Sequence, residues 1–78
     1  MKFTQYFLFI RQRPDRAIIE LAWIERVIQN PLKEIVQEDG RIRMWGAVPE
    51  FDGKYLRVIL LEDRETVHNA FFDRGFEP

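Results

Sequence analysis

At 78 residues, with 46% apolar residues and no cysteine, the chain is sized for a single domain with one core, residues 1–78. It has no disulfide framework or thiolate nucleophile, and a single histidine argues against a dedicated transition-metal site. The net charge of −1 excludes a surface of general basic excess, of the kind that grips any polyanion.

Most of the twelve cations are arginine, however, a residue suited to planar, bidentate contact with phosphate or carboxylate. Their distribution therefore matters more than their sum. The apolar run Tyr6–Ile10 is far below the ~20 residues needed to span a bilayer, and no small-residue cleavage site follows it. A cytoplasmic protein without membrane contact is the expectation. Gly40, Gly46 and Gly53 form no phosphate-binding loop, and no cofactor is expected. Gly40 and Gly53 read as turn residues, and Gly46 as a bulge or kink.

In chain order, Thr4 to about Gln12 reads as a helix, with Thr4 as N-cap and Phe3, Phe7 and Ile10 at helical spacing. Arg13-Pro14-Asp15 ends it, since the residue before proline is pushed out of helical geometry. Glu20–Asn30 reads as a second helix with Trp23, Ile24, Val27 and Ile28 on one face, stopped by Asn30-Pro31. Arg11, Arg13 and Arg16 around Pro14 read as solvated charge.

From Lys33 the period changes from 3.6 to 2. Glu34–Glu38 and Arg41–Val48 flank Asp39-Gly40, a strong hairpin signal. Lys54–Glu62 and Glu65–Asp73 flank Asp63-Arg64. The fold expected is α+β: two N-terminal helices on one face of a four-stranded antiparallel meander. Glu62, Asp63 and Glu65 at the last turn are too weak a pattern to specify a metal.

Strand parity then sorts the side chains, because a slip of one residue flips a strand. A two-residue turn at Asp63-Arg64 places Leu56, Val58, Leu60, Val67, Asn69 and Phe71 on the core face. Tyr55, Arg57, Ile59, Thr66, His68, Ala70 and Phe72 fall opposite. A four-residue loop after Val48 would bury Arg41 and Arg43, which the cost of an unpaired buried charge forbids. A five-residue loop, Pro49–Gly53, turns Ile42 and Met44 inward instead. Through Asp39-Gly40 the same parity sends Ile35 inward and Glu34, Val36 and Glu38 outward.

The outer face so assembled carries Arg41, Arg43, Trp45, Tyr55, Arg57 and His68. Guanidinium groups hold phosphates, and Trp45 or Tyr55 offers a stacking platform for bases, a combination suited to single-stranded RNA. In cleavage by the RNA's own 2′-hydroxyl, His68 would serve as acid or base, with Arg43 and Arg57 stabilising the phosphorane charge. The same face also suits a protein partner or a second copy of the chain. Structurally, outer-face arginines pair across strands with acids, and a lone strand histidine is more often structural than catalytic.

The opening Lys2-Phe3-Thr4, the helix stop IQNP (Ile28–Pro31), EDGRIRMW (Glu38–Trp45), GKYLRVILLED (Gly53–Asp63) and TVHNAFFDR (Thr66–Arg74) carry a resemblance. In order and pattern they resemble an uncharacterised bacterial domain family, a domain of unknown function placed beside the RelE, ParE and BrnT toxins. That resemblance implies a toxin-like α+β fold, a sheet face acting on RNA, and an antitoxin as partner. Many relatives open Thr-x-His, where this chain has Thr4-Gln5-Tyr6. Two functional readings follow. One is a toxin-related protein that binds RNA or, as a metal-independent ribonuclease, cleaves it. The other is a non-catalytic interaction domain that forms a homodimer or binds a protein partner.

Overall fold

The computed structural model describes all 78 residues. The elements run β1 (Lys2–Phe3), α1 (Gln5–Ile10), α2 (Pro14–Ala17), α3 (Leu21–Gln29), β2 (Lys33–Val36), β3 (Ile42–Val48), a 3-10 turn (Pro49–Phe51), β4 (Lys54–Leu60) and β5 (Thr66–Phe72). No helix is long and apolar enough to cross a membrane.

Helices on one face of a sheet give the α+β class, with more elements than expected. The sheet has five strands in the order β1-β5-β4-β3-β2, and β1 runs parallel to β5, so it is mixed rather than purely antiparallel. Three α-helices stand where two were expected. Pro14 ends α1 and, with its preset φ, opens α2 at the first helical position. Thr4 caps α1 by accepting the Phe7 N–H at 3.0 Å.

The core lies between the helices and one sheet face. Phe7 and Ile10 of α1 and Trp23, Ile24 and Val27 of α3 meet Ile42, Met44, Val48, Leu56, Val58, Leu60, Val67 and Ala70. Burying an aliphatic side chain such as Ile24 or Val27 stabilises by roughly 1.5–3 kcal/mol. Gly46 marks no bulge. It pairs in register with Leu56 on the helix side, and a Cβ there would lie 2.9 Å from Val27 Cγ2. Its missing side chain lets α3 settle onto β3.

The loop Pro49–Gly53 has the five residues that keep arginine out of the core. Val48 pairs with Lys54, Ile42 with Leu60 and Met44 with Val58. Across Asp63-Arg64 the expected pairing of Leu60 with Val67 holds, whereas the β2–β3 turn and the run of β5 beyond Val67 depart from simple parity. At the β2–β3 turn, Gln37 N–H bonds Arg41 C=O, Gly40 N–H bonds Gln37 C=O, and Gly40 has φ +88°. This is a three-residue loop with a glycine bulge rather than a two-residue turn. The extra residue flips β2, so Ile35 lies opposite Arg43 on the outer side while Glu34 and Val36 face Met44 and Ile42. Glu38, expected on the strand, lies in the loop.

In β5 a bulge separates Leu60↔Val67 from Ile59↔Asn69, leaving His68 as the extra residue. Beyond it parity inverts: Ala70 and Phe72 turn to the helices, and Asn69 and Phe71 to the outer face. This corrects the expectation for all four residues. Of the acids at the last turn, Asp63 is the one that holds it. Asp63 accepts from Glu65 N–H, Thr66 N–H and the Thr66 hydroxyl, bonds that bring its pKa down to about 2.

Gly46→Ala should lower stability by about 1–3 kcal/mol through overpacking, measured by urea unfolding. Adding Val27→Ala should cost less in the Gly46→Ala background than in wild type, because the two side chains compete for one space.

Candidate functional site

On the outer face the register sets out side chains in rows across the strands. One row is Ile35, Arg43, Ile59 and Asn69, and the next is Lys33, Trp45, Arg57 and Phe71. Ala47 and Tyr55 begin a third, continued by Asp73, whose N–H bonds Tyr55 C=O. Arg43 and Arg57 are therefore diagonal neighbours, a relation that lets long side chains meet.

The second row is a ladder of alternating cations and rings. The Arg57 guanidinium lies 5.5 Å from the Trp45 ring and 5.2 Å from that of Phe71. Beyond Phe71 comes Arg16 of α2, 5.2 Å from the same ring, and its Nη1 donates to Asn69 Oδ1 at 2.7 Å. Arg16 is thus no solvated charge; it packs on β5 beyond the short reach of β1. Each cation–ring contact contributes about 0.5–2 kcal/mol, rising as the site dries.

The segment after β5 closes the other end. Phe76 stacks on Trp45 at 5.1 Å and 11°, and Tyr55 meets Phe76 edge-on at 5.0 Å. Asp73 Oδ2 accepts from Trp45 Nε1 at 2.9 Å and lies 3.7 Å from Arg57 Nη1. Trp45 is only 5% exposed as a result, although it faces away from the helices. Burial, and then the charge of Arg43, lower the Arg57 pKa, against which Asp73 acts.

Charge and hydrogen bonding are incomplete here. Arg43 has no carboxylate partner, and the Nε atoms of Arg43 and Arg57 are both buried without an acceptor. Arg41 lies apart at the β2–β3 turn, exposed, with its Nε 3.8 Å from Asp39.

His68 does not join this cluster. Phe71 is level with Arg57, and His68 lies three residues earlier on β5, about 10 Å at ordinary strand rise. Its Nδ1 is 3.1 Å from Thr4 Oγ1, and its ring stacks on Tyr6 at 5.0 Å. Thr4 Oγ1 already accepts from Phe7 N–H, so its own proton is free to point at Nδ1, which suits a neutral imidazole. The structure thus brings together Arg43, Trp45, Tyr55 and Arg57 and leaves Arg41 and His68 outside.

Sequence reasoning missed Arg16, Asn69, Phe71, Asp73 and Phe76. The readable signal was Asn69, a poor strand former inside a strand. Its Oδ1 takes the Ala70 N–H at the bulge.

Burial and then Arg41 depress the His68 pKa below 6.5. The unfolded chain therefore takes up this proton first. The contribution is complete above the unfolded pKa and is lost as pH falls through it towards the folded value. Urea unfolding at about pH 7.5 and 5.5 should show a larger loss on acidification for wild type than for His68→Gln; equal losses would refute the assignment. Searches against protein-family models, curated proteins and solved structures find no match to this chain.

Proposed function

We propose that the outer sheet face binds single-stranded RNA through its phosphates and does not cleave it. The observation that carries this reading is the guanidinium pair of Arg43 and Arg57. The two like charges are served by the one carboxylate of Asp73, and both buried Nε groups lack an acceptor. The buried Nε groups are closed to a ligand, but phosphate oxygens on the part-exposed guanidinium groups would supply the counter-charge that Arg43 lacks. The resemblance to RNA-acting toxins points to the same ligand. Cleavage is left out because the only histidine is engaged with Thr4 and Tyr6, away from the pair. With a net charge of −1, attraction to RNA must be local rather than spread over the whole surface.

The test is fluorescence anisotropy with a labelled single-stranded oligouridylate. Arg43→Ala should weaken binding about tenfold and reduce the slope of log affinity against log salt by about one. Arg43→Lys should recover only part, since an ammonium cannot donate bidentately. The RNA should stay intact on a gel. Unchanged affinity in Arg43→Ala would remove the reading.

A second reading, self-association, is favoured by α1. That helix buries Phe7 and Ile10, yet Tyr6, Leu8 and Phe9 are exposed, Phe9 at 66%. A helix apolar on both sides is normally covered on both. Sedimentation velocity should then show a dimer that Phe9→Ser, an exposed change with little folding cost, converts to monomer.

A further inference from the structure

We infer that the slot on the outer face now holding Asp73 and Phe76 is a nucleotide site, with the segment that follows β5 as its internal occupant. The inference rests on the RNA reading and assigns that RNA's base to Trp45 and its phosphate to the Arg43–Arg57 pair.

The occupant has the chemistry of the ligand. Phe76 lies on Trp45 at 5.1 Å and 11°, the near-parallel contact that a base makes with an indole. Tyr55 supplies a second wall, edge-on at 5.0 Å. Three residues before Phe76, the Asp73 carboxylate takes the Trp45 N–H and sits beside Arg57, where a phosphate would sit. A planar ring and an anion, joined by a short flexible linkage, also describe a nucleotide. The carboxylate leaves Arg43 unpaired; a phosphate, with more acceptor oxygens, has enough to serve both arginines.

The occupant is also lightly held. After Phe72 the chain forms no helix or strand. Gly75 N–H bonds Asp73 Oδ1, and Phe76 N–H reaches Asp73 C=O at 3.4 Å, so beyond Asp73, whose own N–H bonds Tyr55 C=O, the segment makes no backbone hydrogen bond to the sheet and is held by the Phe76 ring. Releasing Gly75–Pro78 breaks no ladder of the sheet. Beside the slot lies a groove of about 630 Å³ lined by Phe71, Phe72, Lys54 and Arg74 and also by Asp15 and Asp52, so a strand leaving Trp45 has room there but must pass two carboxylates.

An internal competitor reduces apparent affinity by the fraction of time it occupies the site. Titration of labelled oligouridylate into wild type, Phe76→Ala and Phe76→Leu should show Phe76→Ala binding about tenfold tighter than wild type. In wild type, saturating RNA should shift the Trp45 indole N–H resonance and narrow the lines of Gly75 and Phe76 as they leave the sheet. The spectrum of the unaltered protein decides the matter if either variant unfolds. If RNA binds and Arg43→Ala weakens it, but Phe76→Ala gains nothing and the Gly75 and Phe76 resonances stay fixed, the slot assignment is wrong and the arginine reading stands. If neither wild type nor Phe76→Ala binds RNA, both are overturned. Displacement of the segment by a protein but not by RNA would likewise overturn the nucleotide assignment.

Discussion

One extra residue in β5 decides what the outer face is. Without the bulge at His68, Phe71 and Asp73 would share the core side with Val67, and Ala70 and Phe72 would face out. With it, Phe71 lies level with Arg57, and Asp73 reaches Trp45 and Arg57. Phe72 turns to the helices, where it stacks on Phe51 at 4.5 Å and meets Trp23 edge-on at 6.3 Å. The Asn69 side chain stabilises the irregularity from both directions, taking the Ala70 N–H and anchoring Arg16. A bulge re-aims side chains in one step, and here the β5 end of the cation–ring ladder, Phe71 with Arg16 and Asp73 beside Arg57, lies downstream of it.

The consequence is a domain with packing on both faces of its sheet. A chain of this length buries only ~60–65% of its unfolded surface, and one helical layer leaves the other face to be managed. Here it is managed with side chains that are part apolar and part charged. Arginine stems and aromatic rings cover the sheet, while the guanidinium planes lie against rings instead of reaching into water. Such packing stabilises less per contact than aliphatic burial, but it leaves cations and rings together at the surface, the combination that recognises an anionic aromatic ligand. On the proposed reading the same contacts would serve stability and binding, so a ligand would have to compete with the fold's own groups.

What was legible in the sequence follows from how sharply each signal is penalised when broken. Arg43 could not be buried unpaired, so the loop after Val48 had to have five residues, and its faces were readable. The apolar stripe of α3 was readable for the same reason. Asp39-Gly40 announced a turn without announcing its length, because a two-residue turn and a three-residue turn with a glycine bulge both accept glycine at positive φ. On β2, an edge strand exposed along its length, misplacing Ile35 and Val36 carries little penalty, so pattern had no grip there. β1 is two residues long and parallel to a strand more than sixty residues away, a pairing with no local signature. The candidate cluster was half legible: strand parity brings Arg43, Trp45 and Arg57 together, while Asp73 and Phe76 depend on the bulge.

The place of Asp73 bears most directly on how such a site would work. Two adjacent guanidinium groups without a counter-ion would strain a small domain, and a carboxylate between Trp45 and Arg57 relieves much of that. A ligand phosphate would therefore not simply fill a gap; it would replace an existing ion pair and add the partner Arg43 lacks. The net gain is a difference between two anions, smaller than either interaction alone, and both terms weaken with salt. Tight, non-specific adhesion to any polyanion is thereby disfavoured. The ring on Trp45 adds a second requirement, since displacing Phe76 is repaid only by another flat group. A free phosphate satisfies one half of the site and an uncharged aromatic the other, whereas a nucleotide satisfies both. On the proposed reading, that coupling would let a chain of nearly balanced charge discriminate nucleic acid from other anions without a broad basic surface.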